Sequence, residues 1–221
     1  MLPSPLDRLR NALHVPQRNT DASKMFSAEL AYGRYRGPAP TDARRAAVMI
    51  LLHENRHWTD TLEPPLDRWH FPLTLRVESL SRHGGQISLP GGALQIGESN
   101  WQAAVRESEE ELGVCLADVI RLGELSASYV FASNYLVTPF VAFLPSEPIW
   151  QRQESEVAEI FEMSLRHLVD AGNFRIPLRE RYGIAFRSPC IDHEKREIWG
   201  ATSLILGQLI TAIRVAFPDS M

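Results

Sequence analysis

The stretch Gly92-Ala93-Leu94-Gln95-Ile96-Gly97-Glu98-Ser99-Asn100-Trp101-Gln102-Ala103-Ala104-Val105-Arg106-Glu107-Ser108-Glu109-Glu110-Glu111-Leu112-Gly113-Val114 leads from a glycine turn into the most regular helix signal of the chain. Ser99 followed by Gln102 predicts a capping box, in which each side chain satisfies a backbone amide of the first turn. Trp101, Val105, Ser108 and Leu112 fall on one stripe, and Gly113 is placed to end the helix. At about 100° per residue, Glu107, Glu110 and Glu111 share an arc beside that stripe, whereas Glu109 points away from it.

Like charges at these spacings destabilise a helix by roughly 0.2–0.5 kcal/mol per pair, so the crowding needs full solvation or a cation that reverses its sign. A solvated acidic face is one reading. A metal site is the other, and the residues immediately upstream, Leu89-Pro90-Gly91-Gly92, bear on it. The two glycines, lacking side chains, let the backbone come close to a cation or a phosphate. The donors in this stretch are oxygens only, with no histidine or cysteine, which suits magnesium and argues against zinc.

Working outward, a chain of 221 residues with 44% hydrophobic content suits one sizeable core. Its net charge of -4 and pI of about 6.0 provide no bulk attraction to nucleic acid or to an anionic membrane, so an anionic substrate must be held locally. Cys115 and Cys190 stand far apart in no zinc-like pattern and read as reduced, buried thiols. The N-terminus lacks an apolar signal core, and the longest apolar run, residues 46–52, is far shorter than the roughly 20 residues that span a bilayer. The expectation is a cytoplasmic protein with neither nucleic-acid nor membrane partners; a homodimer is left open.

Residues 6–15 predict a short amphipathic helix with Leu6, Leu9 and Leu13 on one side, followed by a polar stretch broken at Gly37-Pro38-Ala39-Pro40. Residues 1–45 therefore read as a helix and arm, and residues 46–221 as one mixed α/β domain. Strands are expected at 46–52, 73–77, 119–125, 135–143 and 160–163, and a closing helix from about Ala201 within the apolar stretch 197–215. Between the first two strands, His53, His57, Trp58, Trp69 and His70 match no zinc spacing and read as loop residues with structural roles.

Gly92, Glu98, Arg106, Glu107, Glu110, Glu111, Gly113 and Val114 resemble the signature box of the Nudix hydrolases: glycine, five residues, glutamate, seven residues, then Arg-Glu-x-x-Glu-Glu-x-Gly and an aliphatic residue. The departure is Ser108, where that family has an aliphatic residue; it falls in the packing stripe and bears on packing before catalysis. The resemblance implies an α/β/α sandwich around a mixed sheet. It also implies Mg2+ or Mn2+ held by Glu107, Glu110, Glu111 and the carbonyl of Gly92, with Arg106 paired to Glu98. The implied reaction is hydrolysis of a phosphoanhydride bond in a nucleoside diphosphate-X compound, a small-molecule nucleotide. Glu107 is the first candidate to activate the water, and Glu156 and Glu154 are rival acids.

The preceding segment, residues 73–92, is similar to the element before the box in coenzyme A pyrophosphatases. Leu73, Thr74, Arg76, Leu80, His83, Gly85, Gln86, Pro90, Gly91 and Gly92 fit; Ser81 stands in place of an arginine and Leu89 in place of a phenylalanine. Val137-Thr138-Pro139 and the stretch from Glu156-Val157 to Phe161-Glu162-Met163 are similar too. This implies coenzyme A or its thioesters as substrate, cut to 3',5'-ADP and a 4'-phosphopantetheine species, with Arg76, Arg82, His83 and Gln86 as substrate contacts. Read alone, Arg76, Arg82 and His83 equally suit a charged sheet edge. Tyr129 and Phe131 suit adenine stacking or the core. Two alternatives stand beside this reading: another nucleotide substrate (ADP-ribose, NADH or a nucleoside triphosphate), and a Nudix domain that senses a nucleotide without cutting it. The complete set of box glutamates argues against the second.

Overall fold

A computed structural model describes residues 4–14, 25–29, 38–54, 65–78 and 84–220. In chain order the elements are α1 (Pro5–Leu13), β1 (Arg44–Glu54), α2 (Pro65–Arg68), β2 (Trp69–Arg76), β3 (Ile87–Ser88), β4 (Gly91–Ala93), α3 (Asn100–Leu112), β5 (Ile120–Glu124), β6 (Ser128–Val130), β7 (Tyr135–Leu144), β8 (Val157–Ser164), α4 (Leu165–Val169), β9 (Phe174–Arg175), β10 (Leu178–Arg181), β11 (Ile184–Arg187), β12 (Cys190–His193), β13 (Arg196–Trp199) and α5 (Ala201–Ala216).

The apolar run 46–52 becomes the middle of β1, the central strand of an eight-stranded mixed sheet. It pairs in parallel with β7 from Arg44↔Tyr135 to His53↔Leu144. The order is β3-β2-β1-β7-β5, with β4 on β1, β6 on β7 and β8 on β2, all antiparallel. Such a continuous apolar run marks a strand covered on both faces. Ala46, Ile50 and Leu52 face one core with α1 and α5, where Leu9, Leu13, Leu206, Leu209 and Ile213 are buried. Ala47, Met49 and Leu51 face the other, under Ala103, Ala104 and Leu112 of α3. The protein is thus an α+β sandwich of helices on both sides of a mixed sheet.

Several expectations change here. The N-terminal helix starts at Pro5, capped by Ser4, whose side chain accepts the Asp7 amide, and ends at Leu13; Val15 lies outside the described residues. His53, Trp69 and His70 are strand residues rather than loop residues, because the short turn of α2 starts β2 ahead of the run 73–77. His53 and His70 are register partners between β1 and β2, and His53 Nε2 lies 2.9 Å from Glu162 Oε1. Trp69 is buried against Phe143 and Phe217. His57 and Trp58 lie outside the described residues. Cys190 is buried as expected, but Cys115 is exposed, since the chain leaves α3 at Gly113 across the surface. The small strands β9 to β13 were not anticipated: at two to four residues each, they carry no periodicity long enough to read.

Candidate active site

Helix α3 begins with the capping box anticipated above: Ser99 Oγ accepts the Gln102 amide at 3.3 Å, and Gln102 Oε1 accepts the Ser99 amide at 2.9 Å. It ends at Gly113, whose φ of 63° is the left-handed conformation that glycine adopts without strain. The face against the sheet is lined by Ala103, Ala104, Ser108 and Leu112, all fully buried, while Trp101 and Val105 are only half-buried. The small residue at Ser108 therefore belongs to a close helix-to-sheet contact built from small side chains.

Arg106 organises the acidic arc. Its Nε donates to Glu98 Oε1 at 2.9 Å and Nη2 to Glu98 Oε2 at 3.1 Å, a two-point fork. Nη2 also donates to the Ala93 carbonyl at 3.2 Å, and Nη1 to Glu107 Oε1 and Glu110 Oε2 at 2.8 and 3.2 Å. One guanidinium thus binds the helix to β4 and to the loop that follows it.

The three glutamates of the arc are not equivalent. Glu111 is 2% exposed, so it lies within the packing face and not beside it, contrary to the arc drawn from the sequence. Its carboxylate reaches the β4 backbone, where Glu111 Oε2 accepts the Gly91 amide at 3.2 Å. Burial pushes the pKa of Glu111 up to about 7; Glu107 and Glu156 add to that rise, while Arg76 and the Gly91 amide oppose it. Burial also raises Glu107, with Glu110 and Glu156 acting in the same direction. Glu110 is exposed, and Glu109 accepts the Leu116 amide at 2.8 Å, away from the arc.

Gly92 stands directly against Glu107: a Cβ there would lie 2.4 Å from Glu107 Oε2. At Gly91, φ is 143° and a Cβ would lie 2.3 Å from the Ala47 carbonyl oxygen. Gly91 is required by its close approach to backbone at a positive φ, whereas Gly92 leaves room for the movable end of the Glu107 side chain.

A cavity of about 820 Å³ opens on this arc. Glu107, Glu111, Gly92, Arg76, Gln86 and Glu156 all line it. Arg76 Nη1 lies 3.3 Å from Glu111 Oε1, so the segment before the box reaches the box itself. Glu156 comes in beside Arg76 because the Val77 amide donates to the Glu156 carbonyl at 3.0 Å. Glu154 instead pairs with Arg152 at 3.5 Å on the surface, and Glu110 is absent from the described lining. Arg82 and His83 lie outside the described residues. Tyr129 and Phe131 line the cavity wall and are not core residues. Arg44, Arg181, Trp199 and Thr202 also line the cavity and were missed. Nothing local in the sequence marks them, since they come from strand ends and from a helix start distant in the chain.

Burial disfavours the charged forms of Glu111 and Glu107, a cost that a bound cation would offset, and the side chains of the acidic arc present oxygen donors only. This donor set fits a hard divalent ion. A family model of the NUDIX domain matches residues 42–182. The chain belongs to the Nudix family. Two relatives, each described as an uncharacterized Nudix hydrolase NudL, come from Yersinia pestis (strain Pestoides F) and Yersinia pseudotuberculosis serotype O:1b (strain IP 31758). Each is 31% identical over 173 residues, covering 78% of this chain and 81% of the relative. A solved MutT/nudix family protein from Enterococcus faecalis is similar over 97% of this chain and 74% of its own, at 18% identity and a TM-score of 0.48. This Nudix protein is accordingly a hydrolase acting on the diphosphate of a nucleotide compound. No helix among its described residues is long and apolar enough to cross a membrane.

Proposed function

We propose that this Nudix hydrolase cuts the diphosphate of coenzyme A or its thioesters into 3',5'-ADP and a 4'-phosphopantetheine species, with Mg2+ or Mn2+ as cofactor. The observation that supports the reading is the 3.3 Å contact between Arg76 and Glu111. It joins the element similar to coenzyme A pyrophosphatases to the acidic box on one cavity wall.

Glu107, Glu111, Glu110 and the backbone of Gly92 would hold the cation, which when bound supplies neutralisation of the diphosphate oxygens and a more acidic water. Arg106 and Glu98 keep the glycine segment against α3, so the carboxylates stay aligned. Arg76 offers guanidinium donors to a phosphate, and Gln86, whose carbonyl accepts the Arg76 amide at 3.0 Å, fixes its strand. Two carboxylates can take the proton of the attacking water. Glu107 is hydrogen-bonded to Arg106, whereas Glu156 is exposed in the cavity, and we assign the proton to Glu156. As water oxygen bonds to one phosphorus, the P–O bond to the bridging oxygen breaks and the second phosphate leaves.

The test is turnover of the full chain on coenzyme A, ADP-ribose, NADH, a diadenosine polyphosphate and a nucleoside triphosphate, each with Mg2+ and with Mn2+. The expected result is the highest kcat/KM on coenzyme A. A higher value on any other member transfers the assignment to that nucleotide, and binding without turnover on every one points to a sensing domain.

A further inference from the structure

The cavity has a second end. Arg44, Ala46 and Val48 alternate along one face of β1 and form its floor, with Tyr135 and Val137 of β7 beside them. Glycines 91 and 92 pair with β1 at Val48 and Ala47, so the acidic cluster is at the Val48 end. Four residue-to-residue steps of strand lead from Val48 to Arg44, about 13 Å of extended chain. That is the scale of a nucleoside with its 5'-phosphate rather than of a diphosphate alone.

At the far end, the Arg44 guanidinium carbon lies 4.3 Å from the Tyr135 ring centroid, stacked on the ring. Arg76 and Arg106 both face carboxylates, but Arg44 has no carboxylate partner among the described residues. A planar cation held on an aromatic ring keeps its edge donors directed outward, which suits phosphate oxygens. Tyr129 and Phe131, on the same wall, offer flat surfaces for a base.

We propose that Arg44 is a specificity-determining contact for a phosphomonoester carried by the nucleoside half of the substrate, at the opposite end of the groove from the scissile diphosphate. The assignment of ends rests on the diphosphatase reading of the acidic cluster. On this view the enzyme selects nucleotides bearing a second, remote phosphoryl group, which gives Arg44 an anionic partner when such a substrate is bound.

The experiment has a binding arm and a turnover arm. In the presence of a chelator, calorimetric titration of the full chain compares adenosine 3',5'-bisphosphate with adenosine 5'-monophosphate. The wild type is expected to bind the bisphosphate about tenfold more tightly, the scale of one charge-assisted hydrogen-bonded contact. Arg44→Met should remove the difference, and Arg44→Lys should keep part of it, with circular dichroism reporting the fold of both. In the turnover arm, the kcat/KM ratio of coenzyme A over its 3'-dephosphorylated form should fall by a similar factor in Arg44→Met, mainly through KM. A preference absent from the wild type, or intact in Arg44→Met, overturns the proposal. If neither coenzyme is cut while the binding preference still depends on Arg44, the subsite stands and the coenzyme A assignment falls. If coenzyme A is cut and its discrimination ignores Arg44, the subsite alone falls.

Discussion

The amide of Gly91 donates to Glu111 Oε2 at 3.2 Å, tying the last turn of α3 to β4 at the edge of the sheet. Through this contact an acid becomes part of the buried packing of the fold. Together with Arg76 it gives Glu111 two donors, which do not offset the loss of hydration, and its pKa stays raised to about 7.

This raised pKa has a signed consequence for stability. With an unfolded value of 4.5, the folded, metal-free chain holds more protons at Glu111 than the unfolded chain between about pH 4.5 and 7. The contribution is fully present below 4.5 and is lost as pH rises through about 7; Glu107, also raised, acts in the same direction. The acids with lowered pKa, Glu98, Asp192 and Glu162, act at lower pH, where they lose stability as they protonate; His193, lowered by burial, opposes Glu111 by gaining stability as pH rises toward 6.5, one group against the two raised carboxyls. In chelator, the melting temperature should fall between about pH 5 and pH 8, and Mg2+ or Mn2+ at the upper pH should reverse the fall. A melting profile flat across that window in chelator would contradict the burial argument.

Replacing Glu111 by Gln separates packing from chemistry. The neutral amide keeps an acceptor for Gly91, so the metal-free protein near pH 8 should gain roughly 1–3 kcal/mol, read by urea unfolding. Its turnover should fall by about 100-fold or more. The exposed Glu110→Gln should leave stability within about 0.5 kcal/mol while also lowering turnover. Loss of stability in Glu111→Gln at that pH is the result that would count against this account.

The two adjacent glycines should respond differently to alanine. At Gly92 the added Cβ meets a flexible carboxylate end, so Glu107 can swing away; the fold survives and metal affinity and rate decline. At Gly91 the Cβ meets the backbone of Ala47 and Val48 at a positive φ, so destabilisation of about 3 kcal/mol or more is expected. Thermal melts paired with Mn2+ titration distinguish the two, and equal melting temperatures for both variants would refute the distinction.

Arg106→Lys tests geometry against charge. Lysine keeps the positive charge but cannot reproduce the fork on Glu98 together with the bonds to Ala93 and Glu107. Turnover and Mn2+ affinity of Arg106→Lys should resemble those of Arg106→Ala. Recovery of wild-type turnover by lysine would mean that charge alone is needed.

Much of the scaffold was legible in the residues because it depends on short-range rules. The cap at Ser99, the stop at Gly113, the covered strand at 46–52 and the closing helix from Ala201 each arise from local patterns that tertiary packing did not override. The stripe along α3 was only partly legible: a helical wheel assigns angles but not the neighbours each angle meets, and Glu111 is buried against β4 while Trp101 stays half-exposed. His53 and His70 were misplaced because the apolar runs that mark the two strands stop short of both, and only β-pairing carries β1 and β2 on to the His53↔His70 register.

By itself the sequence determined which side chains could carry the chemistry, since fixed helical spacing and a neighbouring glycine turn bring Arg106, Glu107 and Glu110 near Glu98 without long-range information. Tertiary structure alone decided what those groups face. The parallel pairing of β1 with β7 and the return of α5 over the sheet bring Arg44, Tyr135 and Thr202 to one cavity with Glu111. Burial in that assembly, a property of no single segment, sets the charge state of Glu111.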